Sequence, residues 1–232
     1  GVQQIQLPIQ TAKATPLSAD LGASPYIEGK PVNREDMFFG RADLLQKIKR
    51  QLNAETHSNV ILLEGNRRTG KTSVLKHILR GDLLPNWVPV YFDLQGSSVR
   101  GGVPTAALHR EICLAVARAL FDSAVELWPA GASVDRRKGP YKQQVRAALK
   151  DVFQNDAPFE VFRAFLEQAL DSIHPKRLLL MLDEFDELEE GIQTGITSPK
   201  VPENLRHVLQ HFSGLSAILT GSLRLARLRE DY

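Results

Sequence analysis

Gly65-Asn66-Arg67-Arg68-Thr69-Gly70-Lys71-Thr72-Ser73 meets the spacing G-x-x-x-x-G-K-[ST] at every defined position, and each defined residue has a task around a bound phosphate. Gly65 and Gly70 let the backbone turn tightly and approach an anion, while successive amides and the start of a following helix offer it partial positive charge. Lys71 is expected to reach the β- and γ-phosphates and the Thr72 hydroxyl to ligate Mg²⁺. Asn66, Thr69 and Ser73 complete the loop. Arg67 and Arg68 lie at its tip, where they either meet a phosphate or an acidic neighbour or extend into solvent. The chemistry is that of a nucleoside triphosphate with magnesium.

Such a loop needs a carboxylate on another strand to organise the metal. Arg177-Leu178-Leu179-Leu180-Met181-Leu182-Asp183-Glu184 supplies one: a strand-length apolar run ending in Asp183, placed to hold Mg²⁺ through its water shell. Glu184 follows directly and is suited to polarise the attacking water, because a cation quenches one carboxylate while its neighbour stays free to act as a base. Asp186 and Glu187 are expected to cap and charge-complement the next helix.

The elements that position these groups have the required order. Residues 59–64 form a short apolar run suited to a buried parallel strand, and 72–80 have helical spacing. Further strands are expected at 88–93, 177–182 and 215–220, separated by helical patterns that include 104–127, 141–153 and 157–173, the last capped by Asp156. In the division of P-loop proteins that carries a catalytic glutamate, one more strand lies between the loop strand and the carboxylate strand, and 215–220 is positioned to be it. Its polar exit, Thr220-Gly221-Ser222, then either senses the γ-phosphate through Thr220 and Ser222 or is an ordinary strand exit and helix cap.

Upstream, Asp36-Met37-Phe38-Phe39-Gly40-Arg41-Ala42-Asp43-Leu44-Leu45 resembles the F-G-R-x-x-x-L box of AAA+ and STAND ATPases, the signal-transduction ATPases with numerous domains. Together with 66–73, Asp183-Glu184-Phe185 and Leu219-Thr220-Gly221-Ser222, it resembles the prokaryotic STAND-like, archaeal-type ATPases from about Pro25 onward. The resemblance implies that Phe39, Gly40 and Arg41 lie against the adenine of ATP or ADP; the alternative is a helix start with Phe38 and Phe39 in the core. It also implies a three-layer α/β/α P-loop NTPase sandwich with a mostly parallel sheet of order 5-1-4-3-2. Many STAND proteins end the sensor strand in Thr-Thr-Arg or Thr-Ser-Arg, whereas Thr220-Gly221-Ser222 has no arginine, which leaves the source of an arginine finger open.

The 232 residues carry 29 Lys+Arg against 27 Asp+Glu, too even a balance to indicate a nucleic-acid surface. A single cysteine, Cys113, rules out an internal disulfide, fits a reducing cytoplasm and is expected to be a buried thiol. Apolar runs are strand-sized, so no membrane span is expected. Residues 1–24 are read as a flexible segment and 25–232 as an ATPase core truncated before a lid and winged-helix module, with the fifth strand missing and turnover therefore slow. The function expected is an ATP-binding, Mg²⁺-dependent ATPase core acting as a nucleotide-controlled switch, self-associating in the full-length protein and answering to a signalling protein. A motor-type or DNA-loading AAA+ ATPase, a non-hydrolysing nucleotide-stabilised scaffold and a small-molecule kinase are the competing readings.

Overall fold

The computed structural model describes residues 2–6, 41–54, 60–80, 82–97, 104–132, 139–154 and 157–222. In chain order the elements are β1 (Val2–Gln6), α1 (Ala42–Asn53), β2 (Val60–Glu64), α2 (Lys71–Leu79), β3 (Trp87–Asp93), α3 (Leu94–Ser97), α4 (Thr105–Asp122), α5 (Tyr141–Val152), α6 (Pro158–Ile173), β4 (Arg177–Asp183), α7 (Glu187–Gln193), α8 (Lys200–His211) and β5 (Leu215–Gly221). The five strands form one parallel sheet in the order β1-β2-β5-β4-β3.

Parity along the strands divides the core in two, because alternate residues face opposite sides of a sheet. Leu178, Leu180 and Leu182 of β4, with Val88, Val90 and Phe92 of β3, pack under α4, α5, α6 and α8. Leu179 and Met181 of β4, Ile61 and Leu63 of β2 and Ile218 of β5 meet α1 and α2 instead. A strand buried on both faces reads as a continuous apolar run, which is why β2 and β4 are so visible in the sequence. The result is the expected three-layer α/β/α sandwich. Cys113 is fully buried in the first of these cores, where burial pushes its thiol well up.

β5 inserts between β2 and β4, as expected. The outer place beside β2 is filled: Val2–Gln6 pairs there in parallel, Val2 opposite Val60 and Gln6 opposite Glu64. This corrects the expectation of a missing fifth strand and, for these residues, of a flexible N-terminal segment; the remainder of 1–24 lies outside the described residues. Edge pairing is made by backbone groups, so a segment without an apolar run can supply it.

The opposite edge is β3. Arg177 N donates to the Asn86 carbonyl at 2.9 Å, which sets the alternation so that Val88, Val90 and Phe92 turn their backbone groups toward β4. Pro89 therefore faces outward, where its missing N–H costs no ladder bond. α6 begins at Pro158 with Ala157 in the capping position; Asp156, the expected cap, lies outside the described residues. Among the described residues no helix is long and apolar enough to cross a membrane.

Candidate nucleotide site

The carboxyl ends of β2, β5, β4 and β3 open on one rim, the position where ligands bind in open parallel sheets. The loop after β2 is held by short-range bonds. Thr69 donates to the Asn66 carbonyl through its hydroxyl at 2.9 Å and its amide at 3.4 Å. Gly65 N donates to Gly221 O at 3.3 Å, tying the start of the loop to the end of β5. Gly70 has φ +87° and Arg68 φ +65°, so the turn uses left-handed backbone on both sides of Thr69, costly at the arginine and permitted at the glycine. Arg67 and Arg68 are exposed, the solvent alternative of the sequence reading.

Lys71 opens α2 and is only 4% exposed. Its Nζ folds back to donate to Gly65 O at 2.9 Å and Asn66 O at 3.2 Å. A buried ammonium is normally matched by an anion, yet among the described residues these two neutral carbonyls are its hydrogen-bond partners and no carboxylate forms an ion pair with it. The charge, the amides at the start of α2 and the glycine turn together fit a phosphate. Thr72 and Ser73 follow on the first turn, both half-buried.

Facing the loop is a cluster drawn from three strands. Asp183, 2% exposed at the end of β4, accepts the Thr220 hydroxyl from β5 and the Glu184 amide, at 3.2 Å, on Oδ1. Its Oδ2 accepts the Tyr91 hydroxyl from β3 at 3.0 Å. Glu184 N also donates to Thr220 Oγ1 at 3.1 Å. These bonds hold Glu184 at φ +52°, a conformation that costs a non-glycine residue of order 1–3 kcal/mol and marks functional sites more often than elsewhere. Burial raises the Glu184 carboxyl above its ordinary value; nearby Lys71 opposes this, Asp186 and Asp183 add to it, and Arg67 opposes it. Hard oxygen donors from Thr72 and Asp183 suit Mg²⁺.

Three residues take places the sequence did not assign. Asp186 stands at the N-cap of α7 but makes no capping bond; its Oδ2 accepts Ser222 N at 3.1 Å and Ser222 Oγ at 2.5 Å instead. The expectation that Asp186 serves as a helix cap is thus corrected, because β5 ends close enough to offer stronger donors. Nothing in the sequence marks Tyr91 for the site, since an aromatic residue on an edge strand reads as ordinary strand propensity. Burial and the Asp183 carboxylate push its phenol up, so it stays a hydrogen-bond donor. Above it, the Lys76 ammonium lies 3.3 Å from the ring centroid.

Arg41 reaches the loop from the start of α1, its Nη2 donating to Thr69 O at 2.5 Å. Its guanidinium therefore braces the phosphate loop. Phe39 and Gly40, the other members of the expected adenine box, lie outside the described residues. Thr220 and Ser222 are both engaged by carboxylates, Thr220 fully buried, and this ties the expected sensor strand to Asp183 and Asp186.

No curated protein matches the chain. The family model described as the AAA ATPase domain matches residues 37–217, a stretch that holds Arg41, the whole phosphate loop, Tyr91 and the Asp183–Glu184 pair. That match covers well over half of the 232 residues, and with the parallel sheet and the loop geometry behind it, the chain belongs to the AAA ATPase domain family, on a P-loop NTPase α/β fold.

Proposed function

We propose that this chain binds ATP with Mg²⁺ at the rim between the 65–73 loop and Asp183, hydrolyses it, and uses the change of nucleotide as a conformational switch in a STAND-like cytoplasmic signalling protein. The single observation that carries the reading is the buried Lys71 ammonium, whose hydrogen-bond partners among the described residues are two neutral carbonyls, at the start of a nine-residue helix. Gly65, Asn66, Thr69, Gly70 and Ser73 cradle the phosphates, with Arg67 and Arg68 at the mouth. Thr72 and Asp183 hold the metal, which supplies charge compensation between the β- and γ-phosphates. Glu184 takes the proton from the attacking water, a task favoured by a carboxylate more basic than usual.

Thr220 and Ser222 link the terminal phosphate to β5, Asp183 and Asp186. The resemblance to AAA+ and STAND ATPases supports Phe39, Gly40 and Arg41 as contacts for the adenine. Loss of the γ-phosphate alters how this network is held, and the altered network changes self-association and the docking of a signalling partner. Calorimetric titration with ATP and ADP, each with and without Mg²⁺, tests the binding reading, and phosphate release tests hydrolysis. Mass by light scattering in ATP against ADP tests the switch. No heat of binding with either nucleotide would remove the proposal entirely; binding without phosphate release would leave a nucleotide-stabilised scaffold.

A further inference from the structure

Asp183 is held by groups from outside its own strand, and the count of its acceptor positions has a consequence for the metal. An ionised carboxylate has about four lone-pair positions, two on each oxygen. Both on Oδ1 are used, by the Thr220 hydroxyl and the Glu184 amide. On Oδ2 one is used, by the Tyr91 hydroxyl. Counting the described residues, a single position, on Oδ2, is left to receive a metal-bound water.

Tyr91 is itself fixed. It lies opposite Met181 in the β3–β4 register, two residues before Asp183, so its side chain stands on the face of the sheet that Asp183 shares. The ring lies beneath the Lys76 ammonium of α2, the helix that Lys71 begins. β3, β4 and α2 thus meet at one phenol.

We propose that Tyr91 is a positioning residue for the magnesium site: its hydroxyl fixes the Asp183 carboxylate so that its one free acceptor position serves the metal's water shell. The inference rests on the ATPase reading above and adds to it a residue from the edge strand. In this assignment Tyr91 acts through its hydrogen bond to Asp183.

Tyr91→Phe removes the hydroxyl and keeps the ring and its Lys76 contact. The measurement is nucleotide affinity by titration calorimetry in excess Mg²⁺ and again in EDTA, for parent and variant. The expected result is that metal-free ATP binds both equally, while the advantage given by Mg²⁺ shrinks by about tenfold in Tyr91→Phe, as expected for losing one hydrogen bond to a charged group. An unchanged Mg²⁺ advantage overturns the assignment, and so does an equal loss of affinity with and without metal, which would make Tyr91 a packing residue. A parent chain that binds no nucleotide in either buffer overturns the ATPase reading itself and the assignment with it.

Discussion

The two halves of the site are built on different length scales. Within the phosphate loop the bonds join residues three to six apart, Thr69 to Asn66 and Lys71 to Gly65. In the carboxylate half they join residues 36, 37 and 92 apart, Ser222 to Asp186, Thr220 to Asp183 and Tyr91 to Asp183. Those local bonds come from the loop's own sequence, and two longer ones brace it from outside, Gly65 N to Gly221 O and Arg41 Nη2 to Thr69 O. The carboxylate cluster exists only when β3, β4 and β5 are in register, since a slip of one residue would turn every side chain to the other face. The groups proposed to cradle the phosphates, and Thr72 for the metal, therefore sit in the half held mainly by local bonds, while Asp183 and Glu184, proposed for metal positioning and water activation, sit in the half that depends on the whole sheet.

The sharpest way to separate the halves is Glu184→Gln, which keeps size and hydrogen bonding and removes basicity. Phosphate release under single-turnover conditions is expected to fall about 10² to 10⁴-fold while ATP affinity holds. Turnover equal to the parent would move water activation away from the cluster.

Lys71→Ala attacks the local half. Loss of the ammonium is expected to weaken ATP·Mg²⁺ binding by roughly 2 to 4 kcal/mol, the range for leaving a buried charge without its partner. Calorimetry on both proteins checks it, and equal affinities would mean that the loop does not hold the phosphates.

Acid separates the site from the scaffold that carries it. His109 of α4 is fully buried, stacks on Phe162 of α6 at 4.6 Å between centroids, and among the described residues has no hydrogen-bond partner on either ring nitrogen. Burial lowers its pKa to about 4, below the ordinary 6.5, so the unfolded chain takes up the proton first as pH falls. The stability this group contributes is present above pH 6.5 and is lost as pH falls toward about 4. Between pH 7 and pH 5 the parent is expected to lose about 2 kcal/mol more than His109→Leu, measured by urea unfolding at each pH. Parallel curves would show that His109 does not titrate in this range.

The smallest effect is expected at Gly70. Among the described residues an added Cβ would meet only Arg41 Nη2, at 3.8 Å, an ordinary contact, so the cost of Gly70→Ala is that of its left-handed backbone, about 1 to 2 kcal/mol. A lowered Tm in a thermal melt is the expected readout. An unchanged Tm would mean that the loop relaxes to accept the side chain.

The difference between the halves also explains what could be read ahead of the structure. β2 and β4 announce themselves as apolar runs because both their faces are buried, and the loop because its chemistry demands particular residues at particular offsets. β5 was placed between them by the Asp183–Glu184 pair and the P-loop analogy. β1 was not legible: Val2-Gln3-Gln4-Ile5-Gln6 has neither an apolar run nor a strict alternation, and its place is made by backbone pairing. The Asp186–Ser222 bond was hidden for a related reason, since a helix-start aspartate looks the same in sequence whether it caps the helix or meets another strand.

By itself the sequence determined the fold class and singled out the 65–73 loop, Asp183 and Glu184 as site candidates, because each depends on residue type and near-neighbour spacing. Tertiary structure alone decided that β1 completes the sheet edge, that Arg41 braces the loop at Thr69, and that Asp183 is gripped by Thr220 from one strand and Tyr91 from another. Those contacts follow from strand register, which brings together residues far apart along the chain and leaves no local pattern by which they could be found.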